Sequence, residues 1–556
     1  MNRRNRLRRR AIPLATLAAI AFLAGVLYGA LRDTEAERVA KSFAQAWDES
    51  DYGRMWRLMS PAAQAGTSPQ ELQAAYEGAM TTATGTDVDI GDIEEEGDGA
   101  RVAVDVDTAI FGRISGEVQL PVSDGRIDWG PQLAFPGLSG DAALTRETEA
   151  PPRADILARD GQTFVEGPAE ARTTPLGLAG AQIAGEIGPA PTEEEQDAVY
   201  ARGFDRDTPI GLSGLERVLE VLVAGTPGGR LMAGATVLAS TEPTPAKPVR
   251  TTLDVGIQEA VTIALAGRFG GIAAIDAKTA QVRGLAGIAY SAPQPPGSTF
   301  KIITATAALE NGLVKPKTPF PIETRAIIDG VELENANGEA CGGTFDQTFA
   351  HSCNSVFAPL GVEIGAEKLV ETAERFGFNE EPWLPGALSS TIPAADDIPS
   401  PLALGATAIG QGRVLATPLQ LASMAQTVAS RGVRRYPILV RGAPRPGPVR
   451  VTTRKIARTL ERLMVGVVNY GTGTAASLAP IGVAGKTGTA ELEDTTDEDD
   501  PDEPPGSDTD AWFTAYAPVD KPELAVAVLL VRNGAGGETA APAARVVLEA
   551  ALAARP

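Results

Sequence analysis

A chain of 556 residues exceeds what one hydrophobic core organises, so three or four folded units are expected. With 43% hydrophobic and 22% charged residues it reads as folded and mostly soluble, and a formal net charge of −22 argues against the basic face that nucleic-acid binding requires. Two cysteines, Cys341 and Cys353, exclude a disulfide-rich scaffold; they form either one bridge in an oxidising compartment or two buried thiols.

Six arginines lie in the first ten residues, and an apolar run follows from Ala11 to Leu31, about the ~20 residues a helix needs to cross a bilayer. The arginines predict a cytoplasmic leading end (1–10) and a single-pass anchor (11–31) that places the rest outside the cytoplasm. A cleaved signal peptide is the rival reading, but Tyr28 and Ala30 do not make a small-x-small cleavage site. From 34 to 137 the pattern predicts a small α+β domain. Val39, Phe43 and Trp47 recur at helical intervals in Glu35–Ser50, and a second helix is expected over Pro69–Thr82. Alternation in Arg101–Asp107 and Ser115–Pro121 predicts half-buried strands. Helices followed by a curved antiparallel sheet are similar to the cone-shaped fold of nuclear transport factor 2. No catalytic constellation falls in this domain, so a spacer or docking module is expected.

Residues 139–249 are rich in Pro, Gly and Glu, with linkers expected at Pro189–Glu195 and Thr241–Pro248. The last unit, 250–556, opens with an extended entry and a helix (Thr251–Leu265) and a hairpin (Gly271–Asp276, Gln281–Ala286). It closes with strands at Ala511–Ala517 and Glu523–Val531 and a final helix. Strands at both ends of this unit predict one antiparallel sheet flanked by helices. The run Glu491–Asp510 holds eleven acidic residues and no basic one, which predicts a solvated flexible loop; a sharper reading makes it a shield against anionic ligands or a dock for a basic partner.

Three short motifs in this last unit carry chemistry. Pro295-Pro296-Gly297 halts preceding structure, and Ser298 is then expected to open a helix ending near Gly312, with Lys301 one turn on. A hydroxyl is a weak nucleophile until a base takes its proton, and a lysine whose pKa is lowered by burial or a neighbouring cation can do so. Alone, Ser-x-x-Lys is weak evidence, since a capping serine and a surface lysine look the same. In Ser352-Cys353-Asn354, Ser352 can relay a proton and Asn354 offers a donor and an acceptor for a peptide group. Lys486-Thr487-Gly488-Thr489 reads as an edge strand. Lys486 supplies a second cation that lowers Lys301 and attracts a carboxylate, with the hydroxyls of Thr487 and Thr489 beside it. Gly488 clears space where substrate lies against the strand. The backbone N–H groups of Ser298 and Thr489 are candidates for an oxyanion hole. The chain's one histidine, His351, is the sole candidate for a histidine base, whereas two of its ten lysines fall in these motifs.

In this order within one unit, the motifs form a signature shared by penicillin-binding proteins and class A β-lactamases, whose middle motif is commonly Ser-Asp-Asn rather than Ser-Cys-Asn. The chain resembles a class B penicillin-binding protein over nearly its whole length. Pro295–Gly312 is similar to that family's nucleophile helix and Ala350–Gly361 to its second motif. Gly211–Gly229, Ala408–Met424 and Gly471–Ala476 also resemble it, the first belonging to the family's non-catalytic pedestal. The N-terminal α+β domain resembles the extra module of the subgroup containing the methicillin-resistance penicillin-binding protein. The resemblance implies an α+β multidomain protein: anchor, domain like nuclear transport factor 2 (34–137), pedestal or dimerisation domain (139–249) and transpeptidase domain (250–556). It implies that Ser298 attacks the penultimate D-Ala of a peptidoglycan stem ending in D-Ala-D-Ala, with Lys301 as base, Ser352 as relay, and Asn354 with Lys486–Thr489 holding substrate. No cofactor or metal is implied; β-lactams and a membrane glycan polymerase are the implied ligand and partner. A β-lactamase or β-lactam sensor, and a non-enzymatic scaffold of a wall-synthesis complex, are the alternatives. The pedestal usually begins Arg-Gly, and Arg153-Ala154 here lacks that glycine.

Overall fold

The computed structural model describes residues 34–491 and 509–553. The predicted anchor, its basic tail and residues 492–508 of the acidic run lie outside the described residues. Among the described residues no helix is long and apolar enough to cross a membrane. Packing divides the chain into two compact units that do not follow sequence order. One holds the described residues through Pro152 with Gly188–Pro209 and Ala224–Ala246; the other holds Arg153–Ile187, Ile210–Val223 and Lys247 onward. The stretch 139–249, read above as one region, is therefore shared between the two.

In the first unit, helices Glu35–Asp48 and Pro69–Ala83 begin at Thr34 and Ser68. Each is closed by a reciprocal capping box, with Glu37 and Glu71 respectively. Their apolar faces bury Phe43, Trp47, Leu72 and Tyr76 against Val102, Val104 and Val106 of a four-stranded antiparallel sheet. The sheet's first strand, Gly85–Glu96, was not expected. It is acidic and carries an irregularity between Ile90 and Ile93, which breaks the alternation that would have revealed it. Leu144–Glu149, Gly228–Ala233 and Thr236–Thr241 form a second sheet, so the expected linker at Thr241–Pro248 begins inside a strand. The expected linker at Pro189–Glu195 likewise runs into a helix, Glu193–Ala201, capped by Thr192.

The second unit is built on a five-stranded antiparallel sheet. We label its main elements in chain order: α1 (Val255–Leu265), β1 (Gly270–Asp276), β2 (Val282–Gly287), α2 (Lys301–Glu310), α3 (Asn354–Ile364), α4 (Pro418–Ala429), α5 (Arg454–Asn469), β3 (Ala484–Glu491), β4 (Thr509–Ala517), β5 (Leu524–Leu530) and α6 (Ala540–Ala553). The spatial order is β2-β1-β5-β4-β3, which leaves β3 at an edge. β5 is buried at every position, so both faces must be covered. α1 and α6 pack on the sheet through Val261, Leu265, Val547 and Leu548, and the almost wholly buried α4 packs against β1, β4 and β5. The two described ends of the acidic run belong to this sheet rather than to a loop: Glu491 ends β3, and Thr509 and Asp510 start β4.

Arg153, at the departure from the family pattern, is buried and ion-paired. It reaches Glu216 at 2.6 Å and Glu220 at 2.9 Å, and Arg172 reaches Glu216 from the other side at 2.8 Å. The network ties 153–172 to 210–223 within the unit. Breaking a buried pair by removing one partner leaves an uncompensated charge, so Arg153→Ala is expected to cost about 3–5 kcal/mol, read from chemical denaturation. Arg153→Lys, which keeps the charge and loses the fork geometry, is expected to cost less.

Candidate active site

The turn that carries Ser298 is fixed from three sides. Ser298 lies in a 3-10 turn, Gly297–Phe300, that precedes α2, whose first residue is Lys301. The expected helix therefore begins with a tighter turn, in which side chains three apart eclipse one another, and Lys301 follows Ser298 at that spacing. Trp512 Nε1 on β4 donates to Pro295 O at 2.8 Å, Gly297 N–H donates to Gly410 O at 3.0 Å, and Thr299 Oγ1 donates to Pro296 O at 2.7 Å. Gly297 has φ +51°, and a Cβ there would lie 2.5 Å from Thr489 O, so the turn rests directly on the backbone of β3. Ser298 is half-buried, between residues that are fully covered.

Lys301 is wholly buried. Its Nζ donates to Asn354 Oδ1 at 2.6 Å, Ser352 O at 2.7 Å and Ser352 Oγ at 3.3 Å. Lys486, equally buried, donates to the same Ser352 Oγ at 2.9 Å and to Thr487 O at 3.0 Å. One hydroxyl thus bridges two lysines, and Ser352 holds this place with φ +63°, a conformation a side-chain-bearing residue keeps only when its surroundings impose it. Burial, and then the charge of Lys486, push the Lys301 amine well below the ordinary lysine range; burial alone lowers Lys486 to about 7. The two amines lie over Phe357 and Phe349, at 5.5 and 5.7 Å from the ring centres.

The other expected residues make contacts of their own around this pair. The space a side chain on Gly488 would need is taken by Pro296 O at 2.7 Å and Thr299 Cγ2 at 3.0 Å. Its smallness thus lets the turn that carries Ser298 pack on β3. Asn354 is already engaged at both ends, since Nδ2 donates to Glu334 O at 2.7 Å while Oδ1 accepts from Lys301. Thr487 Oγ1 lies 2.6 Å from Thr472 Oγ1, and Thr489 Oγ1 accepts from Gly536 N–H at 3.4 Å. Thr472 and Trp512 belong to the site's frame and were not singled out; each lies far in sequence from the residue it holds. Cys341 and Cys353 form a disulfide. His351 is exposed and faces Tyr470, with ring centres 6.2 Å apart.

A half-buried serine, two buried lysines of lowered basicity and an edge strand can together carry out acyl transfer without a histidine. Residues 270–549, half of the chain, match the penicillin binding protein transpeptidase domain family. The chain belongs to this family. The peptidoglycan D,D-transpeptidase PbpA of Mycobacterium tuberculosis is 36% identical over 296 residues, 48% of this chain and 57% of that protein. The peptidoglycan D,D-transpeptidase MrdA of Haemophilus influenzae is 27% identical over 435 residues, 64% of each chain. These alignments thus span less than two thirds of those relatives. Among solved structures, PBPA from M. tuberculosis superposes with a TM-score of 0.57 at 26% identity over 72% of this chain and 99% of that one. The penicillin G acyl-enzyme complex of the same protein gives 0.58 at 26% identity, with the same coverage. The penicillin-binding transpeptidase fold thus accounts for the second unit's sheet and helices.

The paired lysines of this family member predict a pH dependence. Acyl transfer with Lys301 as base and Lys486 as anion partner would need the first amine neutral and the second charged. Acylation is therefore expected to rise as pH climbs through the Lys301 value and to fall as it climbs through that of Lys486, about 7 in the free protein. The two limbs belong to the coupled pair. Second-order acylation rates across pH check this, and Lys486→Gln should lose the falling limb.

Proposed function

We propose that this protein is a membrane-anchored serine D,D-transpeptidase that cross-links peptidoglycan stem peptides. The observation that carries this reading is the pair of buried lysines joined through Ser352 Oγ, with Lys301 three residues on from Ser298 at the end of its turn. The names of the relatives and the acyl-enzyme of the solved neighbour support it. Ser298 Oγ attacks the carbonyl carbon of the penultimate D-Ala as neutral Lys301 accepts the hydroxyl proton. The backbone N–H groups of Ser298 and Thr489 hold the oxyanion. Ser352 passes the proton to the amine of the terminal D-Ala, the C–N bond breaks, and D-Ala leaves. An amine of a neighbouring stem then attacks the Ser298 ester; its proton returns through the same groups and Ser298 Oγ is released. Lys486, Thr487 and Thr489 bind the terminal carboxylate, and Asn354 orients the stem with the Nδ2 hydrogen that is not given to Glu334 O. A β-lactam, which also pairs an acyl carbon with a carboxylate, acylates Ser298 by the same first step.

In the same reading, 11–31 anchors the chain with its N-terminus in the cytoplasm and its catalytic unit outside. Residues 34–137 form a domain like nuclear transport factor 2, 139–249 a pedestal, and 250–556 the transpeptidase domain. A membrane glycan polymerase supplies the strands. The test offers the full chain a donor peptide ending in D-Ala-D-Ala and an amine acceptor, and in parallel follows loss of the penicillin adduct. Cross-linked product with an adduct lasting many minutes is expected. Rapid turnover of penicillin with no cross-linked product would make the protein a hydrolase instead.

A further inference from the structure

The residue between Ser352 and Asn354 leaves a gap in the hydrogen bonding of the helix that follows it. α3 begins at Asn354 with Cys353 at its N-cap, and Cys353 provides no side-chain cap. The first amides of a helix have no intrahelical acceptor and need one from elsewhere. Here it comes from twenty residues upstream: Ser355 N–H donates to Asn335 Oδ1 at 2.8 Å. Asn335 is only 5% exposed, and its Nδ2 donates to Glu323 O at 2.8 Å and Glu339 O at 2.9 Å. One buried amide therefore uses its acceptor and its donors to join the end of strand Pro319–Glu323, the turn after strand Val331–Glu334 and the first turn of α3.

Two other links run from the same lobe to the same motif. Asn354 Nδ2 donates to Glu334 O, the residue before Asn335, and the Cys341–Cys353 disulfide ties strand Cys341–Thr344 to the motif's central residue. The disulfide tethers Cys353 but offers the helix no acceptor; Asn335 does. Every hydrogen bond described for Lys301 Nζ goes to Ser352 or Asn354, so a small shift of α3's first turn would displace all the partners of the base together.

We propose that Asn335 is a positioning residue for acyl transfer: it caps α3 from a distant segment and so holds Ser352 and Asn354 against Lys301 and Lys486. The proposal rests on the reading of Ser298 as nucleophile and Lys301 as base. Its function is geometric, because Asn335 reaches the base only through the motif it holds.

The test measures acylation of the full chain by benzylpenicillin, recording the rate constant and the fraction of sites that react. Misfolding lowers the fraction, whereas misplaced groups lower the rate. Asn335→Ala is expected to slow acylation by roughly 10- to 100-fold at full amplitude, the scale set by about 1 Å of misplacement. Asn335→Asp keeps an oxygen for Ser355 N–H and is expected to recover part of the rate. Cys341→Ala with Cys353→Ala keeps the Asn335 bonds and is expected to lose less rate than Asn335→Ala. A wild-type rate in Asn335→Ala, or a lower amplitude at unchanged rate, would overturn the proposal. So would an Asn335→Asp variant no faster than Asn335→Ala with the cysteine variant equally slow, because the effect would then belong to the whole lobe. An unreactive wild type would overturn the acyl-transfer reading itself, an outcome distinct from the others.

Discussion

Lys301→Gln is expected to slow acylation of Ser298 by roughly 10²- to 10⁴-fold while leaving the protein folded. Glutamine keeps much of the length of lysine and can still donate to Asn354 Oδ1 and Ser352 O, but it cannot take a proton from Ser298. The loss should therefore fall on the rate of acylation and not on the fraction of protein able to bind. Stability moves the other way. The Lys301 amine is held well below its ordinary value of 10.5 by burial and by Lys486, so between those two values the unfolded chain binds a proton that the folded chain does not. Stability from this residue then rises with pH across that window and is lowest at and below the folded value. A neutral glutamine removes that dependence. Lys301→Gln is thus expected to be at least as stable as wild type at neutral pH, with the difference shrinking as pH rises toward the ordinary lysine value. Denaturant unfolding at several pH values beside stopped-flow acylation checks both halves; a strongly destabilised, still reactive variant would contradict them.

Gly297→Ala is expected to slow acylation by displacing the turn that carries Ser298. A side chain at φ +51° carries a conformational penalty of about 1–2 kcal/mol. The larger effect is spatial, because the new methyl would sit 2.5 Å from Thr489 O and must lift the nucleophile turn from β3. That movement separates the N–H groups of Ser298 and Thr489 proposed to hold the oxyanion. A loss of about 10²-fold in acylation is expected, measured with a chromogenic β-lactam. Gly312→Ala, on the far end of α2 with nothing within 4 Å of the added methyl, carries only the backbone penalty of its positive φ and is expected to leave acylation near wild type.

The chemistry was more legible in the sequence than the architecture, and particular residues show why. Ser298, Lys301, Ser352, Asn354 and Lys486 are named by short spacings that local motifs preserve, and the sheet strands Gly270–Asp276 and Leu524–Leu530 announce themselves through buried, uninterrupted apolar runs. Strand Gly85–Glu96 was hidden by its acidic residues and its bulge. The division into units was hidden because Leu144–Glu149 pairs with Gly228–Ala233, a partner that no local pattern specifies. The packing at Gly488 was hidden for a related reason: smallness is visible in sequence, but the neighbour that requires it, Pro296, is a contact of the folded chain. Asn335 carries no signal of its own, since an asparagine in a turn is commonplace and only the folded structure sets it against Ser355 N–H.

The most direct test of the account is peptide mapping by mass spectrometry after exposure of the full chain to benzylpenicillin. One covalent penicilloyl group is expected, on Ser298, and absent from Ser298→Ala. An adduct on any other residue, or an undiminished adduct in Ser298→Ala, would contradict the account.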